Sequence, residues 1–547
     1  MKSRIRLFIL ISVLLFSSIV TLNKVNLPIV NKKYDNNFSA LNVIDDIRFI
    51  SKEPHSVKHP EERSRVRDYL FDRLNSLGMK TEYLRYDSVK DRFGEYNDIA
   101  NLYAVSEPSN GRKAKSYLLL MAHLDSRFSI TKRGKRVTSF GAADDGYGLG
   151  VILELIRVSN YYKGDWNQGL KVLFTDSEES NLEGIKSTIK YDKRVFDNVG
   201  FIINLEARGI KGPAVMFETS PGNSGISELY SKGGTLYSYS FTSAIYNILP
   251  NYTDFTLIKN DYPGINFAVI DNLNYYHTDL DNFDNISLNS IQHYGNQTYP
   301  IVKEYLTNNK YADPLFLKDN SNSFYLSLPL IGFIKLHSRQ YYLLFLIIIT
   351  LFITVLFTRL KKEKNYSKFL KSIFIVFSSI IIIAGLGLLI SYLTAIFNGI
   401  EFNLIYLPFI KGDNIIFIVS LIFVLSFLLL VYRFLKVKLN TDFKEVHLSS
   451  LLLIVIFTLL SHIFTGDSIL FAFVLFFSFI SYLLNSYRIL SKFSVLSVFP
   501  ILIYSIPVVY LLNVALTIGA LSIVLSYVSV IFWQFIPIAD GYLKRDI

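Results

Sequence analysis

Seven acidic and imidazole residues recur in short motifs along the first half of the 547-residue chain: His123 and Asp125 in AHLDS, Asp144 in GAADDG, Glu178 and Glu179 in DSEES, Glu206 in NLEARG and His277 in YYHTD. These are hard oxygen and imidazole donors only, a set that suits zinc, or cobalt or manganese in its place, and it is large enough for two ions sharing one carboxylate. A paired site lets one ion help generate hydroxide while both stabilise the charge that develops on a carbonyl oxygen. The chain has no cysteine, which excludes disulfides, thiolate zinc sites and a cysteine nucleophile. Taken singly, a histidine at a strand end or a pair of acids in a loop is ordinary. Five carboxylates crowded beside two histidines without a cation would raise several pKa values and cost the fold stability, so together they read as a metal centre.

The surrounding pattern supplies elements to hold such a site. Apolar runs of strand length cover 117–122, 170–175, 199–205 and 264–270, alternating with helical patterns such as 148–162, which predicts an α/β domain with a mostly parallel central sheet flanked by helices. His123 and Asp125 follow the first run, Glu178 and Glu179 the second and Glu206 the third, and in open α/β sheets ligands gather beyond the carboxyl ends of strands. Val66, Tyr69, Leu70, Leu74 and Leu77 fall at helical spacing over 61–77, with Gly78 as a stop. Gly146, Gly148 and Gly150 follow an acidic loop, not a strand, and lack the spacing of a dinucleotide fingerprint; they read as a helix entrance packed closely on the site. His55, His59 and His293 match nothing and read as surface or structural residues, and Asp279 and Asp281 as caps of the next turn, with binding of an N-terminal amine as the alternative.

These motifs, with the stretch PNYTDFTLIKNDYPGINFAVIDNLNYYHTDLDNFDNI, resemble the co-catalytic zinc aminopeptidases, a group that includes bacterial secreted aminopeptidases, glutaminyl cyclases and glutamate carboxypeptidases. The likeness spans roughly residues 40–305 and is greatest to the membrane-bound branch of endoplasmic-reticulum metallopeptidases and vacuolar membrane proteases. It implies two Zn2+ ions per chain, with Asp144 bridging them, His123 and Glu206 completing one site and Glu179 and His277 the other. It also implies Glu178 as the general base toward an activated water, Asp125 as the acceptor that fixes the His123 tautomer, and a cis peptide at the turn that Asp145 shapes. Where secreted relatives carry Ser-Asp-His this chain has Thr253-Asp254-Phe255, and no tyrosine matches their oxyanion donor, which leaves the metals or a residue such as Tyr252 or Tyr276 for that task.

The rest of the chain has a different solvent. Hydrophobic residues make up 51% of the sequence and are concentrated in runs at 7–22, 341–358, 370–395, 414–432, 448–464, 468–485, 494–513 and 515–537, each about long enough to cross a bilayer. Lys2, Arg4 and Arg6 precede the first run, the pattern of an uncleaved signal anchor. Threading the runs alternately places RLKKEK, RFLKVK, NSYRILSK and YLKRD on one side and the nearly uncharged NGIEFN, TGDS and Thr517–Gly519 on the other, so the positive-inside rule predicts about eight spans, cytoplasmic termini and an extracytoplasmic domain. The net charge of +11 is thus a topology signal and points to the lipid bilayer, not to nucleic acid. The expected organisation is an anchor over 1–30, a metallopeptidase domain over 31–310, a linker over 311–340 and an all-α multi-span membrane domain over 341–547.

The expected function is a membrane-bound zinc metallopeptidase, an aminopeptidase acting on peptide substrates. The alternatives are a glutaminyl-cyclase-like aminoacyltransferase, a catalytically retired receptor, which should have lost ligands or base, and a transporter, which the lack of charge in the middle of the spans disfavours. Abundant Lys, Asn and Ile fit an AT-rich genome and a bacterial plasma membrane, with a vacuolar or reticular membrane as the alternative.

Overall fold

The computed structural model describes all residues except 1, 26, 33–35, 92–93, 110, 112, 129, 133–134, 250, 363–365, 405–409, 411, 488 and 544–547. Glu363 and Lys364 of RLKKEK, Arg488 of NSYRILSK, Lys544, Arg545 and Asp546 of YLKRD, and Pro250 of the long motif therefore lie outside the described residues. The chain divides into two compact units, one of residues 26–327 and 332–338 and one of residues 1–25, 328–331 and 339–547.

Among its described residues the first unit has eleven strands: β1 (Lys80–Lys90), β2 (Tyr96–Ser106), β3 (Tyr117–His123), β4 (Ile130–Lys132), β5 (Lys135–Val137), β6 (Gly169–Thr175), β7 (Val199–Ala207), β8 (Lys211–Thr219), β9 (Gly264–Asp271), β10 (Ser323–Leu328) and β11 (Gly332–His337). Seven form one sheet in the order β1-β2-β6-β3-β7-β9-β8. The four central strands β6, β3, β7 and β9 run parallel, while β1, β2 and β8 add antiparallel flanks. The sheet is thus mixed with a parallel centre. Strands β3 and β6 are buried along their whole length, which is why they read as continuous apolar runs. The expected linker 311–340 contains the β10–β11 hairpin.

Helix α1 (Lys2–Val25) belongs to the second unit; α2 (Ala40–Ile50), α3 (Pro60–Ser76), α4 (Gly146–Asn160), α5 (Glu183–Tyr191), α6 (Ser224–Tyr230), α7 (Ser240–Tyr246), α8 (Asp254–Ile258) and α9 (Leu288–Thr307) flank the sheet. Pro60 occupies the first turn of α3, where its missing N–H costs nothing. Val66, Leu70 and Leu74 bury the expected face, but so do Arg63 and Arg67. Their guanidinium groups reach the buried carboxylate of Asp176 at 3.1 and 3.3 Å, an ion pair that no hydrophobic periodicity announces. At the entrance of α4 a Cβ on Gly150 would come within 2.4 Å of Val43 on α2, so the helix packs there only as glycine.

The second unit continues with α10 (Ser338–Lys362), α11 (Tyr366–Phe397), α12 (Asp413–Val437), α13 (Phe443–Thr465), α14 (Ile469–Ser486), α15 (Val498–Leu516) and α16 (Leu521–Leu543). Among the described residues eight helical segments are long and apolar enough to cross a membrane. The last, within 518–543, is the most buried of them, and its polar side chains tie it to its neighbours. Trp533 donates to Ser379 of α11 at 3.0 Å, Gln534 donates to the Ser450 carbonyl of α13 at 3.0 Å and accepts from Ser478 of α14 at 2.8 Å, and Asp540 accepts from Tyr432 of α12 at 2.7 Å. Phe16 of α1 stacks on Phe499 of α15 with ring centres 5.6 Å apart.

Candidate metal centre

The carboxyl ends of three adjacent parallel strands deliver the site. His123 is the last residue of β3, Glu178 and Glu179 follow β6 after a two-residue turn, and Glu206 is the penultimate residue of β7. Asp144 comes from the loop before α4, and His277 from the loop after β9, where its own φ is +59°. Asp144 lies between the two histidines: its Oδ1 is 3.2 Å from His123 Nε2 and its Oδ2 is 3.3 Å from His277 Nε2. Glu206 Oε2 stands 3.7 Å from His123 Nε2, and Glu179 Oε1 stands 2.8 Å from His277 Nε2. All five sequence-predicted ligands therefore converge in two groups that share Asp144. Donors at about 2.1 Å from one tetrahedral zinc sit roughly 3.4 Å from each other, and these separations have that scale.

The hydrogen bonding of the cluster fits a cation. Asp144 Oδ2, Glu179 Oε1 and His277 Nε2 are buried and have no hydrogen-bond partner among the described residues, a state that costs stability unless something else satisfies them. Burial opposes charge on His277, but Glu179 and Asp144 outweigh it and raise its pKa. Burial likewise pushes Glu206 up to about 8, with Asp144 and Asp254 adding to the effect.

Asp145 also reaches the cluster, yet both of its oxygens are engaged by the backbone. Oδ1 accepts Gly148 N–H at 3.0 Å, capping α4, and Oδ2 accepts His123 N–H at 3.4 Å. This supports its reading as the residue that shapes the turn; the peptide joining it to Asp144 is cis. A Cβ on Gly148 would stand 2.3 Å from Asp145 Oδ2, so the cap requires glycine at that position.

Asp125 has a further task beside the expected one. The shorter bond of His123 Nδ1 runs to the backbone carbonyl of Asp125, at 2.8 Å, whereas the Asp125 carboxylate is 3.5 Å away. That carboxylate accepts the N–H groups of Glu178 at 2.9 Å and Glu179 at 3.3 Å. It thus pins the turn that carries the expected base and one ligand. The same turn holds Ser177, Asn181 and Leu182 at φ of 61°, 110° and 61°, a concentration of left-handed non-glycine residues that only a well-anchored loop sustains. Arg127 completes it, donating to the Glu179 carbonyl at 2.7 Å and to Glu179 Oε2 at 3.0 Å.

Glu178 is half-buried, with no side-chain hydrogen bond to a described residue. Burial raises its pKa well above the ordinary carboxylate range, and the charges of Glu206, Glu179 and Asp254 add to that against the opposing influence of His123.

Sequence reasoning missed three contributors. Asp281, read as a cap, is 1% exposed and accepts from Ala143 N–H at 2.7 Å, Ser139 Oγ at 3.0 Å and Asp144 N–H at 3.3 Å; it holds the loop that presents Asp144. Tyr246 lies close enough to the Glu218, Glu206 and Glu178 carboxylates for their charges, after burial, to raise its phenol pKa. Asp254 is buried with Oδ1 unpartnered among the described residues. The two tyrosines considered for the oxyanion separate clearly: Tyr252 is 65% exposed, whereas Tyr276 is half-buried, stacked on the His277 ring at 3.6 Å, and its phenol is raised by burial and by Asp144 and Glu179. His55 and His293 are buried away from the five ligands' contacts: His55 Nδ1 lies 3.0 Å from the Glu53 carbonyl and His293 Nδ1 accepts Ala214 N–H.

Residues 101–302 match peptidase family M28. Endoplasmic reticulum metallopeptidase 1 of Mus musculus is 29% identical over 238 residues, which cover 42% of this chain and 25% of that protein. A vacuolar membrane protease of Schizosaccharomyces pombe is 24% identical over 311 residues, covering 52% and 34%. Among solved structures, Porphyromonas gingivalis glutaminyl cyclase is similar at 23% identity with a TM-score of 0.40, covering 49% of this chain and 99% of its own. A Zn-dependent exopeptidase from Parabacteroides distasonis is similar at 19% identity with a TM-score of 0.38, covering 50% and 99%. The matched region spans about a quarter to a third of the length of these curated relatives. The chain contains a peptidase M28 domain, joined in sequence to a helical unit of long apolar helices.

Proposed function

We propose that this chain is a membrane-bound zinc peptidase that releases N-terminal residues from peptides, with two zinc ions held by His123, Asp144, Glu206, Glu179 and His277. The observation that carries the proposal is the Asp144 carboxylate, whose two oxygens face two different histidines at 3.2 and 3.3 Å. The zinc ions, when bound, acidify water and stabilise negative charge on a carbonyl oxygen. Glu178 takes a proton from the attacking water on its carboxylate and delivers it to the departing amine, a task favoured by a carboxylate whose surroundings hold it readily protonated. Tyr276 offers its phenolic O–H to the carbonyl oxygen of the scissile bond. Asp125 and Arg127 keep Glu178 and Glu179 in register through the turn described above. The positive loops and the eight apolar segments support a multi-pass location with the peptidase unit extracytoplasmic.

The test is the full-length chain in detergent, assayed for bound metal by elemental analysis and for turnover of aminoacyl fluorogenic substrates beside Glu178→Gln. Two zinc per chain, with hydrolysis that Glu178→Gln removes while both ions stay bound, is the expected result. One zinc with cyclisation of glutaminyl peptides, or no zinc in a folded protein, would overturn it.

A further inference from the structure

Three strands of the sheet carry polar side chains on one rung where their neighbours are apolar. Asn204 on β7 pairs with Asn266 on β9, and Asn266 pairs with Glu218 on β8; all three are at most 1% exposed. They form one hydrogen-bonded chain. Lys259 Nζ donates to Glu218 Oε1 at 2.6 Å, and Asn266 Nδ2 donates to Glu218 Oε2 at 3.2 Å and to Thr253 Oγ1 at 2.9 Å. Asn204 Nδ2 donates to Asn266 Oδ1 at 3.1 Å and to Glu206 Oε1 at 3.0 Å. The chain begins at a lysine that is 14% exposed and ends on an expected zinc ligand.

The direction of every bond follows from its first member. An ionised carboxylate only accepts, so Glu218 turns the amide nitrogen of Asn266 toward itself. The Asn266 oxygen then faces Asn204 and draws its amide nitrogen, and the second hydrogen of that nitrogen falls on Glu206 Oε1. A carboxamide reversed at either asparagine would set like groups against each other, a fault that is expensive in a buried network. The result is that one oxygen of Glu206 is occupied and the other, Oε2, is the one facing His123.

We propose that Lys259, Glu218, Asn266 and Asn204 are positioning residues that select which oxygen of Glu206 faces the zinc held with His123, and thereby set the affinity of that one ion. The inference rests on the two-zinc reading above. Lys259 supplies the charge that keeps a carboxylate in the sheet interior, and the asparagines pass the resulting polarity across two strands. Partners behind a ligand typically change metal affinity by about 10- to 100-fold.

The experiment is zinc release from the full-length protein in detergent, followed with a chromophoric chelator, for wild type, Asn204→Leu, Glu218→Gln, Lys259→Met, Lys259→Arg and the double variant Glu218→Gln/Lys259→Met. Apo-protein melting is recorded in parallel. In wild type two ions should leave in resolvable steps. In Asn204→Leu and Glu218→Gln one step should weaken roughly 10- to 100-fold while the other stays within twofold, whatever the fall in apo melting, and Lys259→Arg should restore the wild-type pattern. Equal weakening of both steps in proportion to a fall in apo melting would show a structural role only and overturn the inference, as would two unchanged steps. The double variant keeps the test sharp if Lys259→Met alone fails to fold, because it leaves no unpaired charge in the sheet. Absence of a second zinc in wild type would defeat the two-zinc reading itself, a different outcome from unchanged variants of a two-zinc protein.

Discussion

Asp281 lies 137 residues beyond Asp144 in sequence, and its buried carboxylate accepts the Asp144 backbone N–H at 3.3 Å. The residue proposed to bridge two metals is therefore held from behind by a second carboxylate that is not part of the ligand set. Asp281→Ala leaves the Ala143 N–H and the Ser139 hydroxyl without their acceptor. The expected outcome is a loss of about 2 to 4 kcal/mol for those buried donors and a lower zinc content. Thermal melting with and without added zinc, and metal analysis, check both; unchanged zinc content would refute the positioning role.

Arg63→Met should be more damaging than its distance from the ligands suggests. It removes one of two guanidinium groups from the fully buried Asp176, and one that also donates to Ser177 Oγ at 3.2 Å in the turn before Glu178. Breaking a buried pair from one side costs about 3 to 5 kcal/mol. Melting should fall sharply, and hydrolysis at a permissive temperature should drop through kcat with little change in KM.

Tyr276→Phe keeps the stack on His277 and deletes only the hydroxyl. If that hydroxyl serves the carbonyl oxygen, kcat should fall about 100- to 1,000-fold with KM within a few-fold and both zinc ions retained. A loss of less than threefold would move the donor role to Tyr246.

The pH dependence of stability should carry a signature far from the site. Lys171 is 4% exposed and donates to the carbonyls of Val195 and Asp197 at 2.9 and 2.7 Å, and burial lowers its pKa to about 8. Below pH 8 the ammonium is charged in both the folded and unfolded chain, and its burial is a constant cost. Between pH 8 and the unfolded value near 10.4 the unfolded chain binds more protons, so this group makes stability rise with pH. The melting temperature of wild type relative to Lys171→Met should therefore climb across that window and be flat below it; a difference that falls there would contradict the burial.

Chelation should lower the melting temperature, because the buried acids around Asp144 are then left to repel one another. Readdition of zinc should restore it, and magnesium at the same concentration should not.

The parallel strands β3, β6, β7 and β9 were legible as apolar runs because both of their faces are covered, and the positions of His123, Glu178, Glu179 and Glu206 at their ends followed from that. Strands β1 and β8 were not, since Lys80, Glu82 and Arg85 interrupt one and Lys211, Gly212 and Pro213 open the other. Strand β1 is a half-exposed flank and shows charges instead of a run, whereas β8 is largely buried and is disguised by its opening residues alone. Arg63 and Arg67 were invisible for a related reason: their partner, Asp176, is more than a hundred residues away, and one-dimensional spacing carries no record of it. The same holds for Asp281, whose role depends on a loop contact and not on its own neighbours. The eight apolar segments were readable because length and hydropathy alone define them, whereas the polar ties of Trp533, Gln534 and Asp540 appear only once the helices are placed side by side.

The stacking of Phe16 on Phe499 has a temporal consequence. Helix α1 leaves the ribosome before the helix it packs against, which follows about 480 residues later. At roughly 5 to 20 residues per second, α1 waits on the order of half a minute or more as a solitary helix in lipid, with the whole peptidase unit made in between. The peptidase unit thus has time to fold before the bundle closes, and the order of synthesis keeps the two events apart.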